Sequence, residues 1–276
     1  MKLVCSHPRR ELTGGARWTG SRSKLKNVFR RHGIAVACSV ALAAWALAVS
    51  GVGNAEQQFL LLKLDGSYVK WGGPQLGTGA RVRYAFVQDE MKFAGARNCN
   101  TMVALAPSLQ RLGIAPDRLR EETSAAFAMW AQAADISFEE TDDVARANIL
   151  IGAQAVPRGR AFANVEYDHD ANGSTRQIEQ SLICLNPEQR WKIGFGGDRT
   201  AYDLRYTIAH EIGHAIGLNH PGAHGQLMGF QYNETSRSLQ EGDVQGAIAL
   251  YGSREKTDRA AVPASPKGKP AEMGLR

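Results

Sequence analysis

The sequence predicts an α+β fold of five strands and two long helices, followed by a mostly irregular C-terminal part that one further helix closes. Three observations carry that expectation. Short runs between residues 81 and 185 place apolar side chains on alternate positions, as half-buried strands require. Two longer stretches, one after Pro116 and one ending at Gly217, space them three and four apart, as amphipathic helices do. The 276 residues are 43% apolar, enough for one or two domains with a substantial core.

The first 55 residues differ from the rest. They contribute +8 to a formal net charge of +6, so the remainder carries −2 and no nucleic-acid footprint is expected on it. A cationic region ending in Lys24, Lys26, Arg30 and Arg31 precedes an apolar run from Ile34 to Val49 and small residues through Ala55. That order describes an export signal cleaved after Ala55. Extended to Gly53, the apolar run approaches the roughly 20 residues of a membrane span, so an uncleaved anchor is the alternative. Either way the Lys/Arg excess keeps the N-terminus inside and sends residues 56 onward out of the cytoplasm: secreted, periplasmic or membrane-anchored. The expected organisation is a leader over 1–55, one folded domain over 56–252 and a flexible, apolar-poor tail over 253–276. Cys5 and Cys38 fall in the leader. Cys99 and Cys184 remain, a disulfide candidate in an oxidising compartment or else two unpaired thiols.

Along the domain, residues 56–70 read as a short lead-in, and Trp71-Gly72-Gly73-Pro74 with Gly77 and Gly79 as turn-rich loop. Arg81 to Val87 puts Val82, Tyr84 and Phe86 on one face of a strand. Pro116 opens the first long helix; Asp117, Glu121 and Glu122 suit its early turns, and Leu119, Ala126, Phe127 and Trp130 form its stripe. Ile136–Glu140 and 147–152 follow as strands. Arg160 to Tyr167 and Ser181 to Leu185 make a further pair. In their connection Asp168, Asp170, Asn172 and Glu179 satisfy D-x-D-x-N-G-x₅-E, an oxygen-rich pattern able to wrap calcium. Its flanks read as strands, however, and Asn172-Gly173 is equally a hairpin turn among solvated acids. A second long helix runs from about Ala201, with Leu204, Ile208 and Ile212 inward, to its break at Gly217. Ser238 to Glu241 reads as a capping box for the last helix, whose stripe is Val244, Ala247, Ile248 and Tyr251.

The chemistry sits in His210-Glu211-Ile212-Gly213-His214-Ala215-Ile216-Gly217-Leu218-Asn219-His220. Positions four apart share a helix face, so His210 and His214 can offer nitrogens to one ion. A residue six further on returns to that ion only if the chain turns sharply, and Gly217 permits the turn. Three imidazoles leave the fourth tetrahedral position of a zinc ion to water, which Glu211 can deprotonate for attack on a carbonyl. Drawing this pattern at background frequencies has a chance on the order of 10⁻⁷ per starting position, so coincidence is negligible.

H-E-x-x-H-x-x-G-x-x-H followed by a methionine, here Met228, resembles the metzincin signature. His220-Pro221, Leu227-Met228, Tyr232 and the run from Ser238 to Gly252 are similar to the matrixin branch. The resemblance covers most of residues 69–252. It implies an α/β/α-like catalytic domain with a twisted mixed sheet, one catalytic zinc on His210, His214 and His220, and Met228 as a floor beneath the metal. It makes residues 88–114 an insertion, places an extended substrate along Ala161, Phe162, Ala163 and Asn164 as an added strand, and walls the specificity pocket with residues 221–236. Trp191 matches a family tryptophan, but Asn186, Pro187 and Glu188 stand where a calcium-binding carboxylate cluster is usual. Only His169 lies where a second, structural zinc would need several histidines, so one zinc is expected. His224 and Tyr232 are expected as a surface residue and a packed loop residue. No cysteine lies between Ala55 and Trp71 to block the metal, so latency by that route is not expected.

The expected function is hydrolysis of peptide bonds in protein substrates by a monomeric zinc endopeptidase. The alternatives are a zinc hydrolase of a non-protein amide such as a cell-wall component, and a non-catalytic metal-stabilised binding module, which would have no need of Glu211.

Overall fold

A computed structural model describes residues 58–222 and 224–254, together with the backbone of Lys2–Val4. The rest of the expected leader, its cleavage point and the tail past Arg254 lie outside the described residues.

Alternating apolar residues build five principal strands: β1 (Ala80–Phe86), β2 (Ile136–Glu140), β3 (Ile149–Gln154), β4 (Ala161–Tyr167) and β5 (Thr175–Leu185). Their order across the sheet is β4-β5-β3-β1-β2. β4 runs antiparallel to β5, and the other neighbours are parallel. All six residues of β3 are buried, as expected of a central strand covered on both faces. β5 begins six residues before the expected Ser181, because Thr175–Gln177 pair in parallel with Ser67–Lys70. The stretch expected as lead-in is thus part of the sheet. Lys2–Val4 lies antiparallel along the outer edge of β4, with Val4 opposite Ala163.

Three helices complete the frame: α1 (Pro116–Ala133), α2 (Leu204–Ala215) and α3 (Glu241–Tyr251). α1 buries Leu119, Ala126, Phe127 and Trp130 as the stripe predicts, and Trp130 Nε1 donates to the Ala209 carbonyl at 2.9 Å, joining α1 to α2. α2 starts three residues later than expected. Tyr202–Asp203 is extended and pairs with Trp191–Lys192, and the Asp203 carboxylate caps the helix by accepting the Tyr206 N–H at 2.8 Å. α3 is capped by Gln240 and Asp243 acting reciprocally, not by Ser238. No helix among the described residues is long and apolar enough to cross a membrane.

α1 also buries Glu122 completely. Its carboxylate takes Arg118 at 2.9 Å, Arg205 at 2.6 Å and Arg237 at 2.9 Å, and Arg237 reaches on to Asp203 at 2.8 Å. These bonds tie α1, the start of α2 and the loop before α3 into one charged knot, tolerable in the interior because each carboxylate is paired.

The expected insertion over 88–114 has structure of its own. Met91–Lys92 and Thr101–Val103 form an antiparallel pair that extends β3, and a short helix spans Ala106–Gln110. Cys99 is bonded to Cys184 in β5, 85 residues away. Asn164 on β4 adds to the fastening, its Oδ1 accepting the Cys99 N–H at 3.0 Å.

Closing so long a loop restricts the unfolded chain, so Cys99→Ala with Cys184→Ala is expected to lower unfolding free energy in urea by about 2–4 kcal/mol. Lys70 gives a pH signature. It is fully buried, its Nζ donating to the Trp71 and Gly73 carbonyls at 2.8 Å, and burial pulls its ammonium down from 10.5 to about 8. Between those values the unfolded chain holds a proton that the folded chain has released, so stability rises with pH across that window. Paired urea titrations at pH 8 and pH 10.5 should therefore show wild type gaining stability relative to Lys70→Met.

Candidate metal centre and active-site cleft

The α2 helix presents His210 and His214 one turn apart. Their Nδ1 atoms are held by main-chain carbonyls, His210 by Leu227 at 2.7 Å and His214 by Leu218 at 2.9 Å. An N–H facing a carbonyl leaves Nε2 as the lone-pair nitrogen in both rings. His220 Nε2 lies 3.1 Å from His210 Nε2 and 3.2 Å from His214 Nε2. Nitrogens on a tetrahedral zinc ion with bonds near 2.05 Å would stand roughly 3.3–3.4 Å apart, so the three donors fit such an ion. Burial, followed by the two neighbouring imidazoles, pushes the His214 pKa well down. A proton is therefore a poor competitor for a metal there. Among the described residues these are the one group of three or more His, Cys or carboxylate side chains whose donor atoms gather within 4.8 Å.

His220 reaches this position because the helix ends abruptly. Gly217 has φ +105°, and a Cβ on it would lie 2.2 Å from the Val69 carbonyl oxygen, so no side chain can stand there. The carbonyls at the helix end are answered from outside it. Ala215 O accepts Trp71 Nε1 at 2.9 Å and Ser181 Oγ at 3.1 Å, while Ile216 O accepts the Tyr251 hydroxyl at 2.5 Å. Leu218–Asn219 then pairs antiparallel with Leu60–Leu61, so the residues leading into His220 are held in a two-stranded ladder.

Met228 is buried beneath the helix. A Cβ on Gly213 would fall 2.2 Å from its sulfur, so Gly213 is what lets the thioether lie against the helix between the two histidines. The Leu227 and Met228 N–H groups donate to the two oxygens of Asp243 at 2.8 and 2.9 Å. Asp243 thereby fixes the Leu227 carbonyl that orients His210.

Glu211 is buried beside the imidazoles, and one of its oxygens, Oε2, has no hydrogen-bond partner. Burial pushes its carboxyl up to about 8, opposed by the Arg160 guanidinium and by the Ala163 N–H. The β4 edge is thus within hydrogen-bonding reach of the carboxylate. Ala161 and Ala163 face the helices, and their small size admits α2 closely. Phe162 joins the opposite core and Asn164 the insertion, so these two side chains serve packing rather than the cleft.

Other expected residues are not brought to one point. Asp168, Asp170 and Glu179 do not converge as a calcium set: Asp168 Oδ1 accepts the Asp170 and Ala171 N–H groups in a turn, and Glu179 lies exposed within β5. The pattern folds as the hairpin connection. His224 is exposed, and His169 pairs with Glu166 at 2.9 Å. Asn186, where the family has calcium ligands, braces the cleft instead by donating to the Gly159 carbonyl at 2.8 Å. Tyr232 is packed as expected, its hydroxyl accepting the Asp203 N–H and donating to Glu234, both at 2.8 Å. Asp243, Asp203 and Arg160 do not stand out in the sequence as parts of the site. The first two have a legible signal, an acid three residues after a cap and an acid directly before a helical run; Arg160 has none.

The matrixin family model matches residues 103–252 of this chain. Metalloendoproteinase 4-MMP of Arabidopsis thaliana is 30% identical over 146 residues, covering 51% of this chain and 42% of that protein. Matrix metalloproteinase-23 of Bos taurus is 28% identical over 167 residues, 54% and 41% of the two chains. Interstitial collagenase of Sus scrofa is 26% identical over 162 residues, 55% and 33%. The chain spans less than half the length of these curated relatives. The match covers more than half of this chain and takes in the imidazole triad, the turn at Gly217, Met228 and the closing helix, so the chain belongs to the matrixin family.

Proposed function

We propose that this chain is a zinc-dependent endopeptidase acting on extended polypeptide outside the cytoplasm. The observation that carries the reading is the convergence of three imidazole Nε2 atoms beside a buried carboxylate with an unpartnered oxygen. His210, His214 and His220 would hold a zinc ion, which would supply a Lewis acid for the scissile carbonyl and lower the pKa of water. Glu211 Oε2, buried and without a partner, would accept the proton of the attacking water and pass it to the leaving nitrogen. The β4 edge, which pairs antiparallel with Lys2–Val4 in the leader-bearing chain and is left to a guest once the leader is removed or held across a membrane, favours polypeptide over a non-protein amide. The Cys99–Cys184 bond fits an oxidising compartment and hence export.

The test is hydrolysis of a denatured, fluorescence-quenched protein by the zinc-loaded full chain, with and without 1,10-phenanthroline. Glu211→Ala is expected to lose about 10²–10⁴-fold in kcat, and chelation to abolish turnover until zinc is restored. Equal rates in all samples exclude metal-assisted proteolysis, and cleavage of purified cell wall alone would transfer the reading to the amide hydrolase. Asp243→Ala frees the Leu227 carbonyl that orients His210, and zinc affinity measured by competition with a chromophoric chelator should fall about 10–100-fold.

A further inference from the structure

Arg160 stands at the entry to β4, where its guanidinium moderates the Glu211 carboxyl but is neither one of the three imidazole donors nor a carrier of the water's proton. Its Nε is buried without a hydrogen-bond partner. The guanidinium lies over two rings instead, 4.3 Å from the centroid of Tyr202 and 5.0 Å from that of Tyr232. A cation held by ring faces keeps its in-plane N–H donors for an acceptor that has yet to arrive. The main chain beneath it is fixed: Asn186 donates its N–H to the Arg160 carbonyl at 2.9 Å, and Asn186 Nδ2 and Gln189 Nε2 donate to the Gly159 carbonyl at 2.8 and 3.0 Å. The charge is therefore mounted on a braced strand end rather than on a wandering surface side chain.

Strand polarity says which part of a guest meets it. The outer edge of β4 is geometrically open to an antiparallel strand: in the leader-bearing chain Lys2, Leu3 and Val4 lie opposite Val165, Asn164 and Ala163, a place left to a guest when the leader is removed or held across a membrane. A guest in that orientation runs its C-terminal end toward the start of β4. Ala163 touches Glu211 and so marks the reacting bond, and Arg160 lies three residues beyond it, about 10 Å along the strand, on the guest's C-terminal side. Tyr232, under the guanidinium, belongs to the segment expected to wall the pocket on that side.

We propose that Arg160 is a specificity determinant, selecting polypeptides that carry a carboxylate within the few residues following the scissile bond. The inference rests on the endopeptidase reading of the same site. A carboxylate fits the planar fork of a guanidinium through two parallel hydrogen bonds, here to the two terminal nitrogens, which lie beyond the buried Nε and have no acceptor of their own among the described residues. The carboxylate can be an Asp or Glu side chain or a free chain terminus, and the two sources are separable.

The test uses peptide hydroxamates, because a hydroxamate anchored on zinc sets the register of the peptide whatever bond the enzyme cleaves. One series carries Glu, Gln or Lys at the first, second or third residue after the hydroxamate, all with amidated ends. A second series compares free and amidated ends on otherwise neutral peptides. Dissociation constants are measured on the zinc-loaded full chain. At one position Glu is expected to bind at least tenfold tighter than Gln, with Lys weaker still; or, if the terminus is the source, the free acid is expected to exceed the amide by that factor. The ratio should collapse to within twofold in Arg160→Gln, persist in part in Arg160→Lys and invert toward Lys in Arg160→Glu. Binding of all members without a charge preference in the wild type, or a preference that survives Arg160→Gln, overturns the proposal and leaves the endopeptidase reading standing. Failure of every hydroxamate to bind overturns both.

Discussion

The centre of this molecule depends on one reversal of the backbone. Between His214 and His220 the chain must leave a helix and bring a third imidazole within 3.2 Å of the other two. A helix end of this kind exposes carbonyls with no internal partner, and burying them unanswered would cost more than the turn could recover. Trp71, Ser181 and Tyr251 answer them from three separate parts of the sequence. Gly217 then allows the approach to Val69 that any other residue would block. The ligand geometry is thus a property of the whole domain and not of the eleven-residue motif alone.

The opposite end of α2 is held with equal thoroughness by charge. Asp203 caps it, Arg237 spans Asp203 and Glu122, and Arg205 reaches the same glutamate. Hydrogen bonds seal one end and buried ion pairs the other, while Met228 fills the space under Gly213 between them. A helix clamped at both ends keeps its histidines in register, which a metal site with tight angular demands requires.

Much of this was legible in the sequence. The five strands were all placed, with β1 displaced by one residue, the uniformly buried β3 by two, and β5 lengthened at its start by pairing with Ser67–Lys70. The triad follows from spacing because a helix converts four-residue intervals into a shared face. What stayed hidden was the set of partners distant in sequence. Glu122 and Arg237 are 115 residues apart, and no local pattern joins them. Arg160 reads as an ordinary strand-flanking cation until folding lays Tyr202 and Tyr232 beneath it. The oxygen-rich pattern shows how residue types underdetermine geometry: Asp168 turns the chain, while Glu179 lies in the extended strand that follows.

The ladder between Leu60–Leu61 and Leu218–Asn219 joins the earliest described part of the domain to the residues just before the last ligand. Tyr251, which seals the helix end, comes from the final turn of α3. Contacts so far apart along the chain form late, after the loops between them have closed. His210 and His214 therefore emerge from a ribosome or a translocation pore before Tyr251, which seals the turn leading to the third imidazole, has been made. Assembly is ordered by topology: the turn that carries the third imidazole is sealed only when α3 arrives.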